Sequence, residues 1–250
     1  GLSFPPIDTD SYSYTLDAES ERPIKHMLPL RYGLMLFTED GITQLRGGNG
    51  VAITANSALA ETQGYVSVSD LDPIAINMDV LFMTSLNSEL NQMVYTEYTN
   101  SCKMQDILVL SSHLFGPTNH AVEVSWAPEP YKLLHFIRED GQRVTLTYER
   151  NLEVYGWSRY RTQGEYLSLV TVKENNYNLT YNTVRRRIAG TEVMFLEREK
   201  PRLDQDYDAM WFVDAGAARP LVRPAFSATL IRDQDLDEDA VWTLEASDLS

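Results

Sequence analysis

The chain has 250 residues, enough for one large β domain or two smaller ones with a substantial buried core. Its 36 acidic residues against 21 basic ones give a net charge of −15, which argues against an ordinary DNA-binding module with a basic face. The single cysteine, Cys102, excludes an intrachain disulfide, and no apolar run approaches the roughly 20 residues of a membrane-spanning helix.

The N-terminal part changes from a polar segment to strand signals. Residues 1–23 are rich in Pro, Ser, Asp and Tyr without a sustained period, which predicts an extended arm or linker. Strand signals then run from about residue 30, and the tripeptide Glu39-Asp40-Gly41 predicts a hairpin over 34–45. A weaker strand signal covers 65–68.

A second predicted hairpin joins the apolar runs at 80–83 and 92–95. Residues 105–115 then break the strand pattern, because their apolar positions fit a helical stripe better than alternation. Gly116-Pro117 ends this stripe. We therefore expect a short helix or helical turn at this place, between two β units.

From residue 122 to residue 172 the chain predicts strand after strand, with a hairpin over 133–148. Its turn, Glu139-Asp140-Gly141, repeats the earlier acidic tripeptide, and a glycine in this place can supply a positive φ. Strands at 179–188 and 192–197 are expected to pair across Ala189-Gly190.

Repeated antiparallel units predict an all-β fold, mainly β-propeller-like antiparallel blades with a short helical insertion. The predicted domain spans residues 24–216 and follows the arm at 1–23. Residues 217–250 are expected to hold extra strands, at 225–231 and 240–244, or to begin a further domain.

A series of motifs resembles the tail-nozzle proteins of short-tailed bacteriophages, also called packaged-DNA stabilisation or tail tubular proteins. The central run is LTYERNLEVYGWSR at 146–159, followed by GEY at 164–166. The resemblance covers roughly residues 24–216 and rests on the order of its pieces. Upstream and downstream of the central run they are GLMLFTE at 33–39, QLRGG at 44–48, RIAG at 187–190, FLER at 195–198 and FVDAG at 212–216.

The resemblance implies a structural subunit of the virion tail rather than an enzyme. Such proteins form a six-fold homo-oligomeric ring beneath the portal and adaptor proteins, beside tail fibres or spikes, and genomic DNA passes through the channel. They are usually longer than this chain, which begins with Gly1. The alternative interpretation is a propeller-type glycan-binding protein or glycoside hydrolase, which could act as a monomer.

The negative charge has two interpretations that the sequence leaves open. Many proteins are this acidic for solubility alone. In a nozzle, an acidic channel wall would repel phosphates and let the genome slide.

The run Arg185-Arg186-Arg187 is the main basic feature, and it too has two interpretations. One is a phosphate contact in the channel. The other, which we favour, is strand alternation, with two arginines outward in ion pairs and one inward. Trp157 and Arg159 are expected to serve packing and hydrogen bonding, with the indole in the core and the guanidinium tying strands together.

Motifs for catalysis, metal binding and cofactor binding are missing from the sequence. There is no Gly-x-Ser-x-Gly turn, no phosphate loop and no zinc-type histidine pair, so we expect no catalytic residue, no cofactor and no dedicated metal. Asp204, Asp206 and Asp208 have calcium-loop spacing but lack the turn glycine and the closing Glu. For the glycosidase alternative, the nearest carboxylates are Glu149, Glu153 and Glu165.

Overall fold

The computed structural model describes residues 23–48, 52–174 and 176–200, together with the backbone of 229–232 and 242–245. The chain forms two compact units, Gly1–Met210 and Trp211–Ser250. Residues 1–22 of the predicted arm, the aspartates at 204–208 and the FVDAG motif lie outside the described residues.

The first unit contains four antiparallel sheets, each built from strands that are consecutive in the chain. The first sheet comprises β1 (Ile24–Leu30), β2 (Gly33–Thr38), β3 (Ile42–Gly47) and β4 (Ala58–Gly64), and the second β5 (Ile74–Ile76), β6 (Asp79–Met83), β7 (Leu90–Thr96) and β8 (Ser101–Asp106). The third comprises β9 (Ala121–Ala127), β10 (Leu133–Arg138), β11 (Arg143–Glu149) and β12 (Val154–Tyr160), and the fourth β13 (Glu165–Glu174), β14 (Tyr177–Ile188) and β15 (Thr191–Arg198). The predicted all-β class is confirmed.

Both predicted hairpins with acidic turns are present. β2 pairs with β3 so that Leu34 lies opposite Leu45, and β10 pairs with β11 so that Leu133 lies opposite Thr147. The hairpin expected at 80–83 and 92–95 is also confirmed, as β6 and β7. Strand signals with matched turn chemistry therefore located these local pairings correctly.

The two turn glycines act for different reasons. Gly141 has a φ of 73°, as expected for a turn that needs the left-handed region. Gly41 does not have a positive φ; instead, a Cβ there would lie 2.9 Å from the carbonyl oxygen of Gly64. The first turn is closed by Thr38, whose backbone N–H donates to the Gly41 carbonyl at 2.9 Å. Gly41 thus permits a close approach between β2–β3 and the end of β4.

The four sheets stack face to face in chain order. One apolar cluster joins the first and second sheets through Met35, Phe37 and Phe82. A second cluster joins the second and third sheets through Leu81 and Phe136, among others. A third cluster, with Ile137, Tyr166, Leu169 and Val184, joins the third and fourth sheets.

The middle sheets are therefore covered on both faces. On β6, Val80 and Phe82 face the first sheet, whereas Leu81 and Met83 face the third. All five residues of β6 and all six of β10 are buried. Burial on both faces explains why these strands read as continuous apolar runs rather than as alternating ones.

The weak strand predicted at 65–68 is wrong. The strand is β4, which ends at Gly64, and residues 65–68 form the connection to the second sheet. Val68 is fully buried in the cluster between the first two sheets. The aliphatic residues there reflect the packing of a connecting segment, which periodicity alone does not distinguish from a strand.

The helix predicted at 105–115 is shorter than expected. β8 continues to Asp106, and only a 3-10 helix at Val109–Leu114 follows, with Ser111 outside helical geometry. Leu108 and Leu114 are buried, but Leu110 is 94% exposed, so the apolar residues do not form one stripe. The segment does connect the second and third sheets, as predicted. A further 3-10 turn, Arg150–Leu152, joins β11 to β12.

Later strand predictions agree with the structure. β9 to β13 follow one another through the stretch 122–172, and β14 and β15 pair across the turn at Ala189 and Gly190. In the second unit, β16 (Thr229–Arg232) and β17 (Trp242–Glu245) form an antiparallel pair that overlaps both predicted strands.

Substitution of Gly141 by Ala tests the close contact between the third and fourth sheets. A Cβ at Gly141 would lie 2.7 Å from Cβ of Glu165, in addition to its positive φ. Gly190 is the matched control, because its φ is 87° and nothing lies within 4 Å of the position that a Cβ would take. We expect Gly190→Ala to cost about 1–2 kcal/mol of unfolding free energy, and Gly141→Ala about 1–3 kcal/mol more from overpacking. Urea unfolding measures both, and equal costs would contradict the contact.

Candidate functional site: buried polar ties between the sheets

Arg143 is the central polar residue between the third and fourth sheets. It begins β11, and its side chain points away from the second sheet into the space under β14. The residue is fully buried. Its Nη1 donates to Oδ1 of Asn182 at 3.1 Å and also to Glu199, just beyond β15, in an ion pair. A charge in this position is stabilised only because these partners replace water.

Aromatic rings and a histidine complete the surroundings of Arg143. Its guanidinium carbon lies 4.3 Å from the ring centroid of Tyr160 and 5.9 Å from that of Tyr166, within cation–π range. Its Nη2 lies 3.2 Å from Nδ1 of His135, which is also 2.8 Å from Oγ1 of Thr145. Because a guanidinium only donates, this contact is a hydrogen bond only if His135 Nδ1 is unprotonated.

One atom of this cluster lacks a hydrogen-bond partner. Nε of Arg143 is buried and has none among the described residues. The two Nη atoms contact β10, β14 and Glu199, so the side chain connects the third sheet to the fourth.

A second polar tie joins the second and third sheets. Asp79, the first residue of β6, is buried, and its Oδ2 accepts from Tyr148 Oη at 2.9 Å and from Gln92 Nε2 at 3.1 Å. Its Oδ1 accepts from Arg150 Nη1 at 2.5 Å. Tyr155 on β12 donates to Gln92 Oε1 at 3.1 Å. The carboxylate of Asp79 therefore connects β11 and the 3-10 turn directly to the second sheet, and Gln92 connects β12 to the same cluster.

These contacts change the titration of nearby phenols. Burial is the largest cause that raises the pKa of Tyr148 well above its usual 10.0, and the hydrogen bond to Asp79 is the second. Burial also raises the pKa of Tyr155 and of Tyr32. Likewise, burial raises the pKa of Cys102 to about 11, so this partly buried thiol stays protonated at neutral pH.

The three arginines at 185–187 have different environments. Arg185 forms an exposed ion pair with Glu165 across β13 and β14, whereas Arg186 is buried and holds Glu197 in two hydrogen bonds, of 2.8 and 3.0 Å. Arg187 is exposed and lies opposite Glu192 in the β14–β15 register. The alternation interpretation therefore accounts for Arg185 and Arg186.

Trp157 and Arg159 also have different environments, because Trp157 is packed among aromatic rings and Arg159 is exposed. Trp157 packs against Phe115 and Phe136, and its Nε1 lies 3.4 Å from the carbonyl oxygen of Ile107, as the packing prediction requires. Arg159 is exposed on the edge strand β12 and makes no hydrogen bond or ion pair to the described residues. The predicted strand tie at Arg159 is wrong, and that role belongs to Arg143.

Sequence reasoning missed Arg143 because an arginine directly after a hairpin turn resembles an ordinary surface residue. A signal was nevertheless present. Among the residues of β10 and β11, the polar residues His135, Arg143 and Thr145 fall on one face once the hairpin register is set, with His135 opposite Thr145. Three polar residues together on a face of a buried strand pair indicate an internal polar cluster.

The carboxylates considered for glycoside hydrolysis, Glu149, Glu153 and Glu165, do not line either of the two cavities found between the described sheets. Glu149 pairs with Lys132, and the hydrogen bond from that lysine lowers the pKa of Glu149, the opposite of what a general acid needs. Glu165 pairs with Arg185. Among the described residues, no group of three or more metal-binding side chains comes together, and no helix could cross a membrane.

A small cavity of about 50 Å³ lies between the third and fourth sheets. Its lining includes Glu129, Tyr131, His135, Tyr177 and Asn178. Ligand pockets for small molecules generally measure about 300–1,000 Å³. The cavity is a packing gap beside the Arg143 cluster rather than a pocket for a sugar.

Comparison of the chain with protein-family models and with curated proteins finds no match.

Replacement of Arg143 tests whether the buried guanidinium holds the third and fourth sheets together. Arg143→Met removes the donor to Asn182 and leaves the carboxylate of Glu199 without its arginine, and we expect it to lower the unfolding free energy by about 3 kcal/mol. Arg159→Met, on the neighbouring strand, should change it by less than about 0.5 kcal/mol. Chemical denaturation of both variants is the measurement, and a small effect at Arg143 would contradict the role of the tie.

Alkaline pH tests the Asp79–Tyr148 hydrogen bond. The pKa of Tyr148 is higher in the folded state than in the unfolded state. The contribution of its hydrogen bond to the unfolding free energy is therefore complete below about pH 10 and is lost as pH rises towards the folded-state pKa. Tyr148→Phe should therefore be less stable than the wild type at neutral pH, with a difference that narrows above about pH 10. Urea unfolding at several pH values checks this. If the unfolding free energies of the two proteins differ by the same amount at every pH, the pKa of Tyr148 is not raised in the folded state.

Proposed function

We propose that the chain is a structural subunit of the tail nozzle of a short-tailed bacteriophage, forming part of the channel that retains and ejects genomic DNA. The observation that carries this proposal is the ordered series of motifs at 33–39, 44–48, 146–159, 187–190 and 195–198. They fall on β2, β3, β11–β12, the β14–β15 turn and β15, and thus recur across sheets one, three and four.

The arrangement of the sheets supports a propeller-like architecture. In a propeller, each blade is an antiparallel sheet of four consecutive strands, and blades pack face to face. The first three sheets have this construction, and all four stack in chain order. We propose that they are blades of such a structure.

A structural role also agrees with the use of buried polar groups. Asp79, Arg143 and Arg186 are all engaged in ties between strands or sheets. The wall of a channel through which DNA passes needs sheets that keep their relative positions. Buried hydrogen bonds and ion pairs between strands and sheets meet this need, whereas an open cleft does not. The glycan-binding or glycoside hydrolase alternative gains no support from the small cavity or from the paired carboxylates.

In the nozzle, the net charge of −15 gives a specific expectation for DNA. An acidic channel wall would repel phosphates, so free DNA should bind weakly. Because Arg185 and Arg186 already hold carboxylates, any contribution of this run to the residual affinity should come mainly from Arg187.

We expect the assembled protein to form a ring, visible by electron microscopy, that binds duplex DNA weakly at about 50 mM salt and more weakly at about 200 mM. Arg187→Ala should reduce the residual binding, whereas Arg185→Ala removes an arginine that already holds Glu165 and is the control. Tight binding that persists at the higher salt would contradict the acidic channel. A monomer with glycosidase activity that Glu149→Gln abolishes would contradict the nozzle itself.

A further inference from the structure

The connecting segment, residues 65–73, runs from the end of β4 in the first sheet to the start of β5 in the second. Val68 is buried in the apolar cluster between these sheets, and the backbone N–H of Ser69 donates to the carbonyl oxygen of Met83 at 2.9 Å. After Ser69 the chain reaches the surface, and the side chain of Asp72 is 89% exposed. The segment therefore has a buried anchor followed by an exposed part.

Two adjacent residues of β1 contact this segment. Lys25 Nζ donates to the carbonyl oxygen of Val68 at 3.0 Å and lies 2.9 Å from Oδ1 of Asp70, and His26 contacts the residues that follow. Adjacent side chains of a regular strand point to opposite faces. The register between β1 and β2, however, shifts between Ile24 and His26, and such a bulge re-aims side chains. The bulge explains how both residues reach the same segment.

Both ring nitrogens of His26 face oxygen atoms that only accept hydrogen bonds. Nε2 lies 3.0 Å from the carbonyl oxygen of Ser69, and Nδ1 lies 3.0 Å from a carboxylate oxygen of Asp72. The side chain of His26 is 12% exposed, so water has little access to the ring. A neutral imidazole has one N–H and donates to only one of these oxygens, whereas an imidazolium donates to both. The geometry therefore belongs to the protonated ring.

We propose that His26 is a pH-sensitive latch, which fastens the exposed part of the connecting segment to β1 when its ring is protonated and releases Asp72 when the ring is neutral. This inference is independent of the proposed nozzle function. It follows from the two contacts of the ring and from the different exposure of its two partners.

The neutral ring keeps its contact with Ser69 and loses its contact with Asp72. Ser69 is buried, and a buried carbonyl that loses its donor is costly. The carboxylate of Asp72 is exposed and is hydrated when it moves away. The neutral ring therefore carries its proton on Nε2, and the lone pair of Nδ1 then repels the carboxylate.

Other charged groups lie near the ring on the elements that pack against it. Lys25 and Asp70 flank it, and Glu39 and Asp40 lie in the turn beyond its partner on β2. The hydrogen bond and charge of Lys25, with a further contribution from the charge of His26, lower the pKa of Asp70. Lysine, aspartate and glutamate do not ordinarily change charge between about pH 5 and 8, whereas histidine does. The ring is therefore the group among these that responds to pH in this range.

Amide hydrogen exchange tests the latch, because two hydrogen-bonded amides of the segment report on its two parts. The N–H of Leu71 donates to Ser69 Oγ at 3.2 Å, and the N–H of Ser69 belongs to the anchor. We expect the protection of the Leu71 amide, corrected for the intrinsic exchange rate, to fall by roughly two- to five-fold between about pH 5.5 and 8, as for loss of an exposed ion pair, while that of Ser69 stays constant. Nitrogen-15 NMR of the ring should show protons on both nitrogens at the lower pH and on Nε2 alone at the higher.

Three variants of the full chain complete the experiment. Asp72→Asn supplies an amide that donates to the neutral Nδ1, so the segment should stay fastened and the fall at Leu71 should disappear. His26→Gln removes the titrating ring and should also remove the pH dependence. His120→Gln is the matched control, because only Nδ1 of His120 makes a contact, at 3.2 Å from Glu139, and this variant should behave as the wild type does.

Three results would overturn the latch, and the nozzle proposal survives all of them. The first is constant protection of Leu71 in the wild type. The second is a fall in Asp72→Asn or His26→Gln as large as in the wild type, which would assign the pH dependence to another group. The third is a neutral ring protonated on Nδ1, which would show that Asp72 is not the partner released.

Discussion

Burial of the second and third sheets on both faces is the constraint on which the rest of the unit depends. A strand such as β6 or β10 has no side that faces water, so every residue must be apolar or have a polar partner. This requirement selects the continuous apolar runs, and it also explains why the few buried polar residues lie in hydrogen-bonded clusters. The outer sheets face this constraint on one side only, and on their other faces Met27, Met194 and Leu196 are exposed.

The two polar clusters lie at the two joints of the third sheet. Asp79 contacts it from the second sheet, and Arg143 reaches from it to Asn182 of the fourth. Each charge loses its hydration on folding, so neither cluster is an efficient source of stability compared with apolar packing. We interpret them as determinants of register, because a strand shifted by one residue would leave a buried charge without its partners.

Much of the local structure followed from sequence, because turn chemistry and strand composition act over a few residues. The hairpins at Gly41 and Gly141 are examples, although the steric reason for Gly41 lies in the distant Gly64 and was not visible. The connection at 65–68 resembled a strand because packing on a core and pairing in a ladder select the same aliphatic residues. The candidate site was harder to predict. Arg159 and Arg143 look alike in sequence, and only the stacking of the fourth sheet on the third separates an exposed guanidinium from a buried one.

Native-state amide hydrogen exchange tests the account of two-sided burial most directly. Amides in β6 and β10 should exchange only through global unfolding, because opening either strand would expose two apolar interfaces at once. Amides in the outer strands β1 and β15 should exchange through local opening at a lower free energy. If β1 and β15 are as strongly protected as β6 and β10 in the monomeric protein, or if β6 and β10 open locally, the central claim is contradicted.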